Sequence, residues 1–217
     1  MAAALILSAA GLAAARSPLG ARPSPALQPA AGEAVYQQRC EICHGAAGDG
    51  NGPAAASMDP RPRDFRRGWY KIRSTANGQL PTDEDLVRII AAGMPGTTMP
   101  GWGEILSPDE LQAVAGYLKG FSRRFERETP EAVSVVAAPG SSEERIGRGA
   151  LLFSGAEAEC AKCHGLAGRG DGPSAGELDD DFGHPIVPAD LTAPWTFRGG
   201  PSANDIYLRL KTGLTGS

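Results

Sequence analysis

Two short segments of this chain place two thiols and an imidazole within five residues of one another. They read Cys40-Glu41-Ile42-Cys43-His44 and Cys160-Ala161-Lys162-Cys163-His164, and they contain all four cysteines of the chain. Disulfide bonds within the pairs would leave both histidines without a role. A structural zinc ion takes four ligands, so a zinc site would have to pool ligands from segments 120 residues apart.

Cys-x-x-Cys-His is the attachment signature of c-type haem. The two thiols add to the haem vinyl groups, and the adjacent histidine supplies one axial ligand to the iron. The sequence therefore predicts two covalently bound haem c groups. The thioether and axial residues of this prediction are Cys40, Cys43 and His44 in the first segment and Cys160, Cys163 and His164 in the second.

The two motifs belong to a longer internal repeat. The glycine-rich stretch 45–55 and the segment 89–93 both recur 120 residues later. Between these stretches, the segment around Trp69 recurs around Trp195 after a six-residue insertion in the second copy. The chain therefore contains two copies of one module.

Both copies resemble class I cytochrome c domains, in the tandem di-haem arrangement of bacterial periplasmic electron-transfer proteins. The resemblance rests on the attachment motifs and the glycine loops that follow them, and it covers residues 32–121 and 143–217. It implies an all-α fold, with one small helical domain wrapped around each haem. It also implies a methionine as sixth iron ligand, in a loop before the last helix.

Apolar spacing and capping residues place helices around both motifs. Short helices are predicted before the motifs, over 33–40 and 144–153. Thr82 and Ser107 are predicted N-caps, the second within a capping box that is followed by proline. A further helix is expected over 205–211 in the second copy.

The chain divides into five predicted segments. Residues 1–15 form an uncharged apolar run that ends in small residues, which indicates a secretory signal peptide or, alternatively, an uncleaved anchor. A Pro/Ala-rich tether follows at 16–31, then a first cytochrome c domain at 32–122, a linker at 123–142 and a second cytochrome c domain at 143–217. Export predicts a periplasmic or otherwise extracytoplasmic location, with membrane association through the N-terminus left open.

Composition narrows the classes of partner. The formal net charge is −4 and no block of lysine or arginine stands out, which argues against nucleic acid. Aromatic residues make up only 6% of the chain. That is little for a core of this size, and we expect haem to supply the missing apolar bulk.

Two methionines compete for the sixth position of the first iron. Met94 and Met99 each precede proline, so the Met-Pro dipeptide alone does not identify which of them is the ligand. In the resembling family the ligand is the methionine of Gly-Thr-x-Met-Pro, just ahead of the last helix, and this corresponds to Met99. Met94 is then a residue of the core.

The second copy has no methionine for this role. The position equivalent to Met99 would be 219, two residues past Ser217, so we expect the second module to be incomplete before its axial-methionine loop and last helix. If the protein ended there, the second iron would lack a methionine ligand. His184, in the inserted acidic segment, is the other candidate for a distal ligand, although a surface histidine is the simpler interpretation.

The resemblance also assigns residues around the haems. An iron-bound histidine donates its other ring N–H to an acceptor, and in the family this acceptor is the carbonyl of a proline after the glycine loop. That role falls to Pro53 and Pro173. Four further residues are candidates for hydrogen bonds to the haem propionates, with core or surface roles as the alternative: Trp69, Arg73, Trp195 and Arg198.

These features predict an electron carrier without catalytic residues, or the electron-transfer subunit of a respiratory complex. Methionine-ligated iron has no open position, which suits electron transfer between redox proteins that meet in small, transient contacts. The alternatives are a di-haem enzyme, such as a peroxidase or a thiol-oxidising dehydrogenase, and a membrane-anchored oxidase subunit. All four cysteines are assigned to haem, which counts against a cysteine-ligated catalytic haem.

The choice between the two methionines has a spectroscopic consequence. Met99→Ala should abolish the long-wavelength absorption band of iron–thioether bonding in the first haem, because it removes the sulfur ligand. Met94→Ala, the matched control, should leave the band in place. Loss of the band in Met94→Ala alone would exchange the two assignments.

Overall fold

The computed structural model describes residues 29–216, which form seven α-helices joined by turns and short 3₁₀ segments. In chain order the helices are α1 (Pro29–Arg39), α2 (Glu41–His44), α3 (Asp83–Ala92), α4 (Pro108–Lys119), α5 (Glu143–Ser154), α6 (Cys160–His164) and α7 (Ala203–Thr212). Within 29–216 there is no β-strand, only isolated bridges that join Thr75 to Ala132 and Asp179 to Pro185. The prediction of an all-α fold is confirmed for this part of the chain.

The predicted signal peptide and most of the predicted tether lie outside the described residues. Within the part that is described, none of the helices combines the length and the apolar character needed to cross a membrane.

Reciprocal side-chain caps, with one hydrogen bond in each direction, set the starts of three helices, two of which the sequence predicted. The Thr82 hydroxyl accepts a hydrogen bond from the Asp85 amide, and the Asp85 carboxylate accepts one from the Thr82 amide. Ser107 and Glu110 form the same reciprocal pair at α4, with Pro108 as its first residue. In the second copy Ser202 caps α7, so that helix begins at Ala203, two residues before the predicted start.

The first copy is built on the packing of α1 against α4. Gly32 allows the close approach, because a Cβ atom at this position would lie 2.2 Å from the carbonyl oxygen of Ala113. Tyr36 and Val114 are fully buried between the helices, and the ring of Tyr36 lies 5.3 Å from that of Tyr117. The Tyr36 hydroxyl donates to the Gly45 carbonyl at 2.7 Å, which ties the helix pair to the attachment motif.

A buried carboxylate fastens α3 to the loop that precedes it. Asp85 accepts hydrogen bonds from the Ser74 amide at 2.7 Å and the Ser74 hydroxyl at 2.8 Å, and it pairs with Arg88. Burial alone would raise the pKa of Asp85, but the hydrogen bonds from Ser74, Arg88 and Thr82 outweigh it and lower that pKa. The carboxylate therefore stays ionised and holds the loop in place.

The second copy is much less buried than the first. All residues of the main apolar core lie between Val35 and Leu118. No residue of α5 is buried, although α5 corresponds to α1 of the first copy. Large apolar side chains are exposed on the second copy, among them Leu151 at 74% and Leu210 at 77%.

Part of the predicted linker belongs to the first copy. Phe125 packs against the core of that copy, and Arg124 donates hydrogen bonds to the carbonyls of Gly68 and Gly78. Farther on, the Val133 amide donates to the Ser74 carbonyl. The chain thus leaves the first copy about ten residues later than the composition of 123–142 suggested.

The two copies meet through the segments in which they differ. Arg73 donates to the Thr212 carbonyl at 2.6 Å, from a first-copy stretch that is longer than its counterpart. The six-residue insertion of the second copy brings Phe182 to Trp69, with ring centroids 5.8 Å apart. Arg67 donates to the carbonyl of Asp181 in the same insertion.

The contact between α1 and α4 can be tested with a pair of glycines. Gly32→Ala should lower the free energy of unfolding by about 1–3 kcal/mol, because the new methyl group meets backbone that cannot yield. The control is Gly116→Ala in α4, where a Cβ meets nothing within 4 Å; it should raise stability by about 0.5–1 kcal/mol. Denaturant unfolding of the two variants measures both effects, and equal stabilities would contradict the close crossing.

Candidate haem sites

Each Cys-x-x-Cys-His motif forms one short helical turn. In the first, the His44 amide donates to the Cys40 carbonyl at 2.8 Å, and Gly45 ends the turn with φ at +77°. The second, α6, ends at Gly165 with φ at +73°. A positive φ is readily adopted by glycine, so both chains can turn away directly after the histidine. All four thiols are free of disulfide bonds.

A glycine loop closes over each turn with the same hydrogen bonds in both copies. The amide of Gly52 donates to the Cys43 carbonyl, and the amide of Gly172 donates to the Cys163 carbonyl, each at 3.1 Å. A Cβ at Gly52 would lie 2.4 Å from the Ile42 carbonyl oxygen, so only glycine fits this close approach. The 120-residue repeat in the sequence therefore recurs in the hydrogen bonds of the backbone.

Both histidines are oriented by a backbone carbonyl. The Nδ1 atom of His44 lies 3.2 Å from the carbonyl oxygen of Arg63, and Nδ1 of His164 lies 2.9 Å from that of Ala189. A carbonyl only accepts hydrogen bonds, so Nδ1 carries the proton and Nε2 keeps its lone pair for a metal. Burial lowers the pKa of His44, and this effect outweighs the opposite effect of the hydrogen bond to the Arg63 carbonyl. The lowered pKa favours the neutral ring.

The acceptor predicted from the resemblance was wrong. Pro53 and Pro173 are exposed in the glycine loops and do not accept the histidine N–H. The chain instead returns to the histidine ten residues after Pro53, at Arg63, and sixteen residues after Pro173, at Ala189, and each of these residues directly follows a proline. The shift arises because the loop hydrogen bonds draw Pro53 toward the helical turn rather than toward the imidazole.

The first pair of thiols lies in an environment that favours the neutral form. Burial raises the pKa of Cys40 to about 11, and the neighbouring Cys43 adds to the effect. Burial also raises the pKa of Cys43. Neutral thiols offer little to a free metal ion, which binds thiolate.

The loop with both methionines is tightly folded. The Met94 amide donates to the Met99 carbonyl at 3.1 Å, and the Met99 amide donates to the Thr97 hydroxyl. The loop starts at Gly93, where a Cβ would lie 2.5 Å from the Gly101 amide nitrogen. Both methionines are half-buried, so the assignment of Met99 as ligand stays a prediction.

His184 lies in the turn of the insertion, where backbone groups exchange hydrogen bonds with Asp180. It is exposed. Together with Met58 it lines a groove between the copies. Nowhere in 29–216 do three or more His, Cys, Asp or Glu side chains converge on a point that could hold a metal ion. His184 as a distal ligand of the second iron therefore stays an untested alternative.

Of the four propionate candidates, Arg73 has a different role. It is completely buried, and it donates to the carbonyls of Tyr70, Ala76 and Thr212 and to the Asn77 side chain. These bonds occupy nearly all of its donors, so the structure corrects both the propionate assignment and the alternative of a surface arginine. Its carbonyl in turn accepts a hydrogen bond from Arg209.

The other three candidates differ in their surroundings. Trp69 is half-buried against Phe182, and the guanidinium of Arg67 lies 5.0 Å from its ring centroid. Trp195 is 74% exposed. Arg198 is half-buried, and burial lowers its pKa while Asp59 opposes that change. Their propionate roles stay predictions.

The sequence reasoning missed three residues near the first site. Arg63 supplies the carbonyl for His44, Tyr70 has a buried hydroxyl without a hydrogen-bond partner, and burial lowers the pKa of Lys71 to about 8. The available signal was the set of basic residues between 61 and 73, to which, Arg73 apart, no role was assigned from the sequence.

The residues present fit a covalently bound haem. Each motif offers two unbridged thiols on one helical turn and a histidine whose Nδ1–H is engaged, which leaves Nε2 for iron. In addition, the buried Tyr70 hydroxyl lacks a partner that a carboxylate would supply.

Comparisons with known proteins agree with this site. The family model described as "Cytochrome C oxidase, cbb3-type, subunit III" matches residues 27–118. Cytochrome c55X of Paracoccus denitrificans (strain Pd 1222) is 51% identical over 35 residues, which span 16% of this chain and 34% of that protein. The chain thus matches only about a third of the length of this relative.

A solved structure resembles nearly the whole chain. It is a chain of the Kuenenia stuttgartiensis reducing HAO-like protein complex Kustc0457/Kustc0458. The match has a TM-score of 0.83 and 46% sequence identity, and it covers 86% of this chain and 84% of that one. Residues 27–118 thus match a cytochrome c family, and this match implies covalently bound haem c and electron transfer for that part of the chain.

The glycine loop of the second copy offers a test that is independent of electron transfer. Gly172→Ala should sharply reduce haem attachment at the second motif, because the new methyl group would lie 2.2 Å from the Lys162 carbonyl oxygen. Gly176→Ala, where a Cβ meets nothing within 4 Å, is the control and should attach haem normally. Intact-protein mass reads out the haem count, and equal counts in the two variants would contradict the role of the loop.

Proposed function

We propose that this protein is a periplasmic di-haem cytochrome c that carries single electrons between redox partners, as an independent carrier or as the electron-transfer subunit of a larger complex. The observation that carries the proposal is the pair of matching attachment sites. Both have two free thiols on one turn and a histidine with Nδ1 engaged by a carbonyl. Two such sites in one chain support two haems.

Haem, when bound, supplies an iron that alternates between two oxidation states and so accepts and releases one electron at a time. The residues of this chain attach the haem and orient its histidine ligand. Cys40, Cys43, Cys160 and Cys163 fix each haem covalently, and the engaged Nδ1–H groups hold the imidazoles in one orientation. Fixed ligands favour electron transfer, because little has to move when the charge changes.

Met99 bears on the choice between carrier and enzyme. In the folded loop before α4 its backbone is held by Met94 and Thr97. A thioether at the sixth position would close the first iron to small substrates and raise its potential. For the first haem this supports a carrier rather than an enzyme that binds a small substrate at the iron.

The resemblance to a chain of an HAO-like protein complex supports a specific setting. At 46% identity over most of both chains, surfaces as well as folds are expected to be related. We propose that this protein also docks on a larger redox protein of the HAO-like type and conducts electrons to or from it.

The proposal is tested by the mass and the redox behaviour of the mature protein. We expect a mass that exceeds the polypeptide by two haems, and one haem fewer in the Cys160→Ser/Cys163→Ser variant. The wild type should take up two electrons in a reductive titration and show no rapid turnover of hydrogen peroxide. A mass equal to that of the polypeptide would refute the haem assignment, and fast peroxide turnover would favour the enzyme.

A further inference from the structure

Three cationic side chains lie together where the two copies meet. Arg63 and Lys71 come from the first copy and Arg198 from the second. They are close enough that Arg63 and Arg198 both act on Lys71, whose pKa falls to about 8 through burial first and these two charges second. Burial is also the main reason that the pKa values of Arg63 and Arg198 are lowered.

These cations have no adequate counter-charge. In the described part of the chain none of the three forms an ion pair within 4 Å. Asp59, Asp180 and Asp181 act on them only from a greater distance, and none of these carboxylates contacts a cation of the cluster directly. The Arg63 guanidinium is packed instead on the ring of Phe182, 4.9 Å from its centroid. Partly buried charges without partners are costly, so a cluster of three indicates a missing anion.

The buried hydroxyl of Tyr70 is a second observation that indicates an anion beside these cations. Tyr70 is only 7% exposed, and its hydroxyl has no hydrogen-bond partner. Arg63 is the charge that acts on this hydroxyl, opposing the rise in its pKa that burial causes. An unpartnered buried donor beside unpaired cations is what an anion with several acceptor atoms would satisfy.

The cluster adjoins the first attachment site. The ring of Phe65 stacks on His44, with centroids 4.5 Å apart, and the ring of Tyr70 stacks on Phe65 at 6.0 Å. Arg63 contributes its carbonyl to His44 and its guanidinium to the cluster. An anion bound here would therefore lie next to a group held by His44.

We propose that Arg63, Tyr70, Lys71 and Arg198 form one carboxylate-binding site, shared by both copies, that takes the propionate groups of the haem attached at Cys40 and Cys43. The inference rests on the proposed haem attachment. Carboxylates match guanidinium, ammonium and phenol donors in charge and geometry. Because Arg198 comes from the second copy, docking of that copy sets part of the charge around the first haem.

The experiment compares charge and hydrogen-bond variants of the full chain with haem attached. Lys71→Met and Arg198→Gln should each lower the midpoint potential of the first haem, because loss of a nearby positive charge favours the oxidised iron. Tyr70→Phe keeps the charge but should shift the propionate vibrations in resonance Raman spectra. The first haem is identified as the redox wave that is lost in Cys40→Ser/Cys43→Ser.

Arg66→Gln is the matched control, since Arg66 is exposed and paired with Asp64. It should leave the propionate vibrations unchanged and shift the potential less than either cluster variant. Attached haem with unchanged vibrations in all three cluster variants would overturn the inference and leave the proposed function standing. A shift in Arg198→Gln confined to the second haem would overturn the sharing. Wild-type protein without haem would refute the proposed function itself.

Discussion

The hydrogen bond from His44 Nδ1 to the Arg63 carbonyl constrains the rest of the structure. To place that carbonyl, the chain must run from the histidine through a tight glycine loop and come back within about twenty residues. Gly52 makes the loop tight enough by packing directly on the turn of the motif. The Tyr36 hydroxyl, at the junction of α1 and α4, holds the start of this loop by its hydrogen bond to the Gly45 carbonyl.

The sequence was most informative where a local rule decides the structure. Thr82 and Ser107 cap their helices as predicted, because capping depends on residues three positions apart. The motifs and the repeat were equally readable. The histidine acceptor was not, since a backbone carbonyl carries no residue signature and Arg63 and Ala189 share only the proline that precedes them.

Arg73 shows a second kind of failure. An arginine in a charged, polar stretch has every sequence feature of a surface residue. It is buried because its guanidinium meets backbone carbonyls from both copies, including that of Thr212, 139 positions away. Contacts of this range depend on how the two copies dock, and no local pattern in the sequence reports that arrangement.

The two copies share the same glycine loop but differ in the segments through which they contact each other. Both retain the glycine loop and the engaged histidine, yet the insertion with Phe182 and the long loop with Arg73 are each present in one copy only. Two unmodified copies would present identical surfaces and could pair only as identical subunits do, through a symmetric or a head-to-tail contact. Different segments on the two sides make the contact unequal and fix one arrangement. With a haem at each attachment site, as proposed, a fixed arrangement of the copies would give a fixed distance for electron transfer, so the differences at the contact and the shared loop would serve the same end.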